Sequence, residues 1–207
     1  LWLWTNKNPG EFWESIVEYF NIDLERKRFF KAYKKKSFWN SIFFDNSNLN
    51  YYDLISKNNS SDLAIEFIGE NKFSDKIIYS DLNKRINALS NFFRDKGIKK
   101  GDVIVGYLPN IPDTVISFLS AAKIGAVWSS CSADFGTQAV IDRFSQLKPK
   151  LLIVADYYFY NGKKFQYSKN LRTLKANLNN PLILKTSYPS NNNTSELKKI
   201  YLSLIHI

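Results

Sequence analysis

Two periodicities of apolar residues alternate through the middle of the chain. Val103, Ile104, Val105, Tyr107 and Leu108 form a nearly unbroken apolar run between Gly101 and Pro109, as expected of a strand buried on both faces. Asn110 offers a short polar side chain suited to an N-cap, with Pro112 and Asp113 in the first helical turn. Proline there lacks only an N–H that would have no partner, and the carboxylate suits the positive end of the helix dipole. Val115, Phe118, Leu119 and Ala122 recur at helical spacing and predict the packed face, with Gly125 as a left-handed C-cap. Ala126, Val127 and Trp128 restart a strand that runs into the small residues 129–132. Asp134 and Gly136 then open a helix carrying Val140, Phe144 and Leu147, and a third apolar strand follows Pro149 over Leu151–Ala155. This β-α-β-α-β alternation with short turns predicts an α/β fold, a parallel sheet with flanking helices and right-handed crossovers.

Upstream, Phe12, Trp13, Ile16, Val17 and Phe20 mark one amphipathic helix, and the Asn- and Ser-rich residues 46–62 read as a loop. LAIEFIG and KIIYS flank ENKFSD as a hairpin. Ser80 is placed to cap a helix whose Leu82, Ile86, Leu89 and Phe93 share a face, and Gly97 ends it. The stretch from about Asn177 is polar and aperiodic, which predicts weak order. Three parts follow: aromatic-rich residues 1–62, an α/β part from Leu63, and the polar last segment from about Asn177.

Composition narrows the class. With 207 residues, 44% of them hydrophobic and 16% aromatic, the chain can bury a core, and no apolar run approaches membrane-spanning length. The opening LWLWTNKNPGEFW is too interrupted for a signal peptide. The single cysteine forbids an internal disulfide and fits a reducing cytoplasm. The absence of methionine points to a piece of a longer protein. An incomplete parallel sheet would present an unpaired edge strand and be prone to aggregation. The net charge of +10 raises nucleic acid or an anionic membrane as a partner. Its strongest carrier is ERKRFFKAYKKKSFW, residues 25–39, where cations interleave with aromatic rings. Lysine stems covering apolar surface explain that stretch better, and lysine and asparagine abound along the whole chain, so nucleic acid is not favoured.

Candidate chemistry is sparse. Cys131 lacks a plausible base, since the one histidine, His206, lies in the tail; a structural role is expected, and no metal site is credible. Asp134 and Asp142 read as a helix cap and a solvated face. Trp13, Trp39 and Trp128 read as core anchors. No G-x-G-x-x-G follows a strand, which weighs against a dinucleotide-binding oxidoreductase. No glycine-rich loop ending in lysine is present; WSSCSADFG, the nearest candidate, lacks both the glycines and the lysine.

The order of helix ending in Gly, GDVIV, PNIP, helix, IGA and strand resembles the N-terminal part of the adenylate-forming acyl-CoA synthetases. FWESIVEYF and FWNSIFFDNSNLNYYDLI resemble the N-terminal extension of acetyl- and acetoacetyl-CoA synthetases, which makes residues 1–62 that extension and 63–207 the first α/β subdomain, truncated. VWSSCSADFGTQAVIDRFSQLKPK and YYFYNGKKF are similar to the acetoacetyl-CoA synthetase family, and the resemblance runs from about Phe12 to Lys164. The resemblance implies a two-step ligation. ATP and acetoacetate, with Mg2+, give an acyl-adenylate and pyrophosphate, and CoA then displaces AMP. It places the phosphate loop, the ribose aspartate and the C-terminal lysine outside this chain, so no catalytic residue is expected here. One contact is carried over. An Arg-x-Gly-Arg/Lys stretch that meets CoA phosphates in related enzymes corresponds to Tyr160, Asn161, Gly162 and Lys163, making Gly162 and Lys163 the cofactor-binding candidates. Tyr160 departs from the arginine, and an ordinary Asn-Gly turn is the competing reading. Acetate or propionate are the alternative substrates, and a basic aromatic binding module is the alternative class.

Overall fold

The computed structural model describes residues 1–26, 32–167 and 170–190. They form two compact units, residues 1–57 and 58–207. In the first, α1 (Trp2–Lys7) and α2 (Pro9–Tyr19) precede short antiparallel pairs: β1 (Glu25–Arg26) with β4 (Ser47–Asn48), and β2 (Tyr33–Lys34) with β3 (Ile42–Phe43). The stretch expected to be a loop holds α3 (Tyr51–Ser56), because the Asn50 side chain accepts the Tyr52 N–H at 3.0 Å and caps it. Of the tryptophans expected in the core, Trp39 is 88% exposed and Trp13 is also exposed.

The second unit opens with the expected hairpin, β5 (Leu63–Ile68) and β6 (Ser74–Ile78), and runs directly into α4 (Tyr79–Asp95). Ser80 is not the cap. It lies inside the helix, and its N–H and that of Tyr79 donate to the carbonyls of Ser60 and Asp62. Backbone from the preceding segment satisfies the donors that a capping side chain would have taken. Leu82, Ile86, Leu89 and Phe93 are all buried, as their spacing requires.

The core sheet is parallel, in the order β12-β9-β7-β8, from β7 (Val103–Tyr107), β8 (Val127–Cys131), β9 (Leu151–Ala155) and β12 (Leu182–Thr186). Every residue of β9 is buried. β12 corrects the expectation of weak order after Asn177; residues 191–207 lie outside the described residues. α5 (Pro112–Lys123) connects β7 to β8, and α6 (Thr137–Phe144) leads through a short 3-10 turn, Ser145–Leu147, toward β9. Leu147 therefore stands in that turn rather than in the helix. Asn110 does not cap α5 either, since Ile111 holds that position.

The packed face of α5 is rotated from the expected one. Val115 is 36% exposed, whereas Ile116, Ser117, Leu119, Ser120 and Ala121 are buried. Small residues there let α4 approach closely. Ser90 Oγ donates to the Ser120 carbonyl and Ser120 Oγ to the Ile86 carbonyl, both at 3.3 Å. On β7, the ring of Trp128 lies over Gly106, where a Cβ would meet it at 2.7 Å. Trp128, half-buried, is thus the one tryptophan of the three that packs on the sheet. After β9 come the antiparallel pair β10 (Tyr157–Tyr160) and β11 (Lys163–Gln166), and then α7 (Leu171–Asn177).

Phe93 is fully enclosed, so Phe93→Ala is expected to destabilise the chain by about 3–5 kcal/mol through a cavity its neighbours cannot fill. Val115→Ala on the open face should cost under about 1 kcal/mol. Urea unfolding monitored by circular dichroism distinguishes the two; equal losses would contradict the enclosure of Phe93 on α4 or the exposure of Val115 on α5.

Candidate functional site

Asn161 and Gly162 form the two-residue turn that joins β10 to β11, with Tyr160 opposite Lys163 and Tyr158 opposite Phe165. Their φ values, 49° and 70°, are the pair a type I′ hairpin turn demands, and asparagine and glycine tolerate them best. Nothing lies within 4 Å of where a Gly162 Cβ would stand, so backbone conformation, not space, calls for glycine. The turn accounts for Asn161 and Gly162. It does not require Lys163, an exposed cation at the first position of β11.

Alternation divides the hairpin into two faces. Tyr158, Tyr160, Lys163 and Phe165 share one, with the Tyr158 and Phe165 rings stacked at 5.2 Å. Tyr157, Phe159 and Lys164 share the other. There Tyr157 stacks on Tyr188 at 5.7 Å, Phe159 meets Tyr188 edge-on at 5.4 Å, and Lys164 Nζ sits 3.6 Å from the Tyr157 ring centre. The cluster closes on Phe67 and Ile111, so the hairpin is seated on β5 and on the segment after β7. Its tip is also held: the Gly162 N–H donates to the Glu70 carboxylate at 2.9 Å. The sequence gives no sign of that partner, which stands in the β5–β6 turn.

The other candidates come out structural. Cys131 is buried, and burial pushes its thiol up to about 12, which leaves no thiolate for nucleophilic chemistry. Asp142 accepts from Gln138 within its own helix; Asp134 is exposed and is not the cap of α6, a position held by Gly136. His206 lies outside the described residues. In the basic stretch, Lys34 is paired with Asp45 and Tyr33 packs on Phe43, while residues 27–31 are outside the described residues. Asp113 was expected only as a dipole-matching residue at the start of α5. It is in fact 3% exposed, hydrogen-bonded by the Thr186 hydroxyl, and raised by burial to about 6 despite Thr186 and Arg85.

A cleft of about 490 Å³ opens at the other end of the sheet, lined by Lys96, Lys148, Lys150, Asn179 and Asn180 among others. It lies at the amino ends of β9 and β12, opposite the carboxyl ends where open α/β sheets receive ligands. Lys150 is paired with Asp102 at 2.8 Å, and Lys96 follows the carbonyl end of α4, where a cation is favoured for the helix itself. The hairpin, by contrast, leaves the carboxyl end of β9 directly.

Residues 57–199 match the family described as AMP-binding enzyme. The chain belongs to that family. Among similar AMP-binding enzymes, the acetoacetyl-coenzyme A synthetase of Rhizobium meliloti (strain 1021) is 34% identical over 182 residues, 87% of this chain and 28% of that protein. The acetoacetyl-CoA synthetase of Gallus gallus is 33% identical over 204 residues, 97% of this chain and 31% of its own length. The solved structure of the acetoacetyl-CoA synthetase from Streptomyces lividans matches with a TM-score of 0.81 at 26% identity, covering 88% of this chain and 29% of that one. The α/β architecture expected from the sequence is the architecture of that enzyme, and the chain spans less than a third of these relatives. The binding-module alternative is not favoured.

Asp113 predicts a pH dependence of stability. Its folded value lies above the ordinary 3.8, so the folded chain keeps a proton that the unfolded chain gives up. Stability should therefore fall as pH rises from about 4 to 6, by at most about 1.4 kcal/mol per pH unit, and level off above. Asp113→Asn, which can still accept from Thr186, should flatten this window and be the more stable protein at pH 7. Melting temperatures across pH 4–8 report it; an unchanged profile would refute the buried-carboxyl account.

Proposed function

We propose that the protein of which these residues are part activates acetoacetate with ATP and transfers the acyl group to CoA. The similarity over 97% of this chain to an enzyme named acetoacetyl-CoA synthetase carries the reading. The first step releases pyrophosphate and leaves acetoacetyl-adenylate; in the second, the CoA thiol attacks the acyl carbon and AMP departs. Magnesium enters with ATP as part of that substrate. Among the described residues no group of three or more His, Cys, Asp and Glu side chains fits a metal ion, and no step is assigned to one. No helix among the described residues is long and apolar enough to cross a membrane, and a cytoplasmic setting suits these water-borne substrates.

The contribution of the present residues is to the second substrate. The hairpin tip brings one exposed ammonium, Lys163, to a turn whose backbone comes close to the surface, and a CoA phosphate is the partner that suits it. With Tyr160 in place of a planar guanidinium, the contact is a point charge rather than a two-pronged clamp. It adds affinity for CoA and leaves the adenylation step untouched.

In the enzyme expressed from its intact reading frame, acetoacetate-dependent exchange of pyrophosphate into ATP tests the reaction. Exchange with acetate or propionate but not acetoacetate would favour the other short-chain substrates. Lys163→Gln should raise the KM for CoA about 5–10-fold while that exchange proceeds at the wild-type rate. An unchanged KM for CoA would return the tip to the status of a plain surface turn.

A further inference from the structure

The tip of the β10–β11 hairpin already holds an anion of its own. In a two-residue turn the ladder uses the backbone of Tyr160 and Lys163, and the Gly162 N–H is left to find a partner outside it. That partner is a Glu70 carboxylate oxygen at 2.9 Å, supplied from the β5–β6 turn. The carboxylate is not drawn there by a cation. Among the described residues the salt bridges join Lys34 to Asp45, Lys76 to Glu66, Lys84 to Asp81 and Lys150 to Asp102, and none involves Glu70. Lys164 is turned to the opposite face, over the Tyr157 ring. A carboxylate oxygen on a left-handed glycine N–H, one residue from an exposed lysine, occupies the place that suits a phosphate oxygen.

We propose that Glu70 is an internal competitor for the phosphate site at Gly162 and Lys163: it holds the tip N–H while the site is empty and has to be displaced by the incoming phosphate. This rests on the reading of the tip as a CoA phosphate contact. The consequence is a selectivity device. A multiply charged phosphate must overcome both the lost N–H bond and repulsion from the carboxylate beside it, so Lys163 retains only ligands anchored elsewhere on the enzyme as well. Free inorganic anions, lacking such anchorage, are turned away. The repulsion is electrostatic and near the surface, so salt must weaken it.

The test uses adenosine 3′,5′-bisphosphate as the probe, titrated calorimetrically into the intact enzyme and its Glu70→Gln and Lys163→Gln variants. Glutamine keeps an acceptor for the Gly162 N–H and removes the charge. Glu70→Gln is expected to tighten the probe about 3–10-fold at 50 mM salt, with the gain shrinking at 500 mM, and to tighten adenosine 5′-monophosphate less. Lys163→Gln should weaken the bisphosphate. If Lys163→Gln weakens binding while Glu70→Gln leaves it unchanged or weaker, Glu70 is not a competitor and the phosphate contact stands. If neither substitution moves the affinity, the phosphate reading and the role of Glu70 fall together.

Discussion

Everything else in the second unit follows from the burial of β9. All five of its residues are enclosed, and both of its edges are paired, with β7 on one side and β12 on the other. A strand in that position has no access to water, so its backbone groups must be matched by neighbours and its two faces covered by helices. Parallel neighbours can be reached only by crossovers, which sets the spacing of strand and helix along residues 101–186. The close approach of α4 and α5 through Ser90 and Ser120 belongs to the same requirement, since serine hydroxyls can bond to the facing carbonyls without holding the helices apart.

What could be read from the sequence was what this burial dictates. The apolar runs of β7 and β9 and the stripe Leu82, Ile86, Leu89, Phe93 have one physical use each, and the chain puts them to it. Element ends were harder, because more than one group can satisfy the same donor. Ser80 looked like a cap, yet the helix already begins at Tyr79, where the carbonyls of Ser60 and Asp62 accept the Ser80 and Tyr79 N–H groups. β12 was hidden by its surroundings: Leu182–Thr186 is short, lies among asparagines, and earns its place only by pairing with β9. The face of α5 was misjudged because serine and alanine, not the larger Val115 and Phe118, are what a closely packed neighbouring helix requires.

The candidate site was half legible for the same reason. The turn at Asn161 and Gly162 is local chemistry, written in two adjacent residues. Glu70 is 92 positions away from Gly162, and only the fold brings the two together. Asp113 was visible as a residue that suits a helix start, but its enclosure against Thr186 depends on β12, the strand the sequence concealed.

Asp156 explains how a surface hairpin can be placed firmly by the core. It is the single residue between β9 and β10. Its N–H donates to the Thr186 carbonyl, and its carbonyl accepts from Tyr167 beyond β11. One side-chain oxygen accepts from the Tyr157 N–H at 2.7 Å and the Tyr188 N–H at 3.0 Å. The end of the buried strand, both ends of the hairpin and the segment after β12 are thus tied at one residue. Tyr157 and Tyr188, stacked on each other, carry that junction into the aromatic cluster beneath the hairpin. A two-stranded hairpin anchored this way can hold the backbone of Lys163 in a defined place. The position of the tip is inherited from β9.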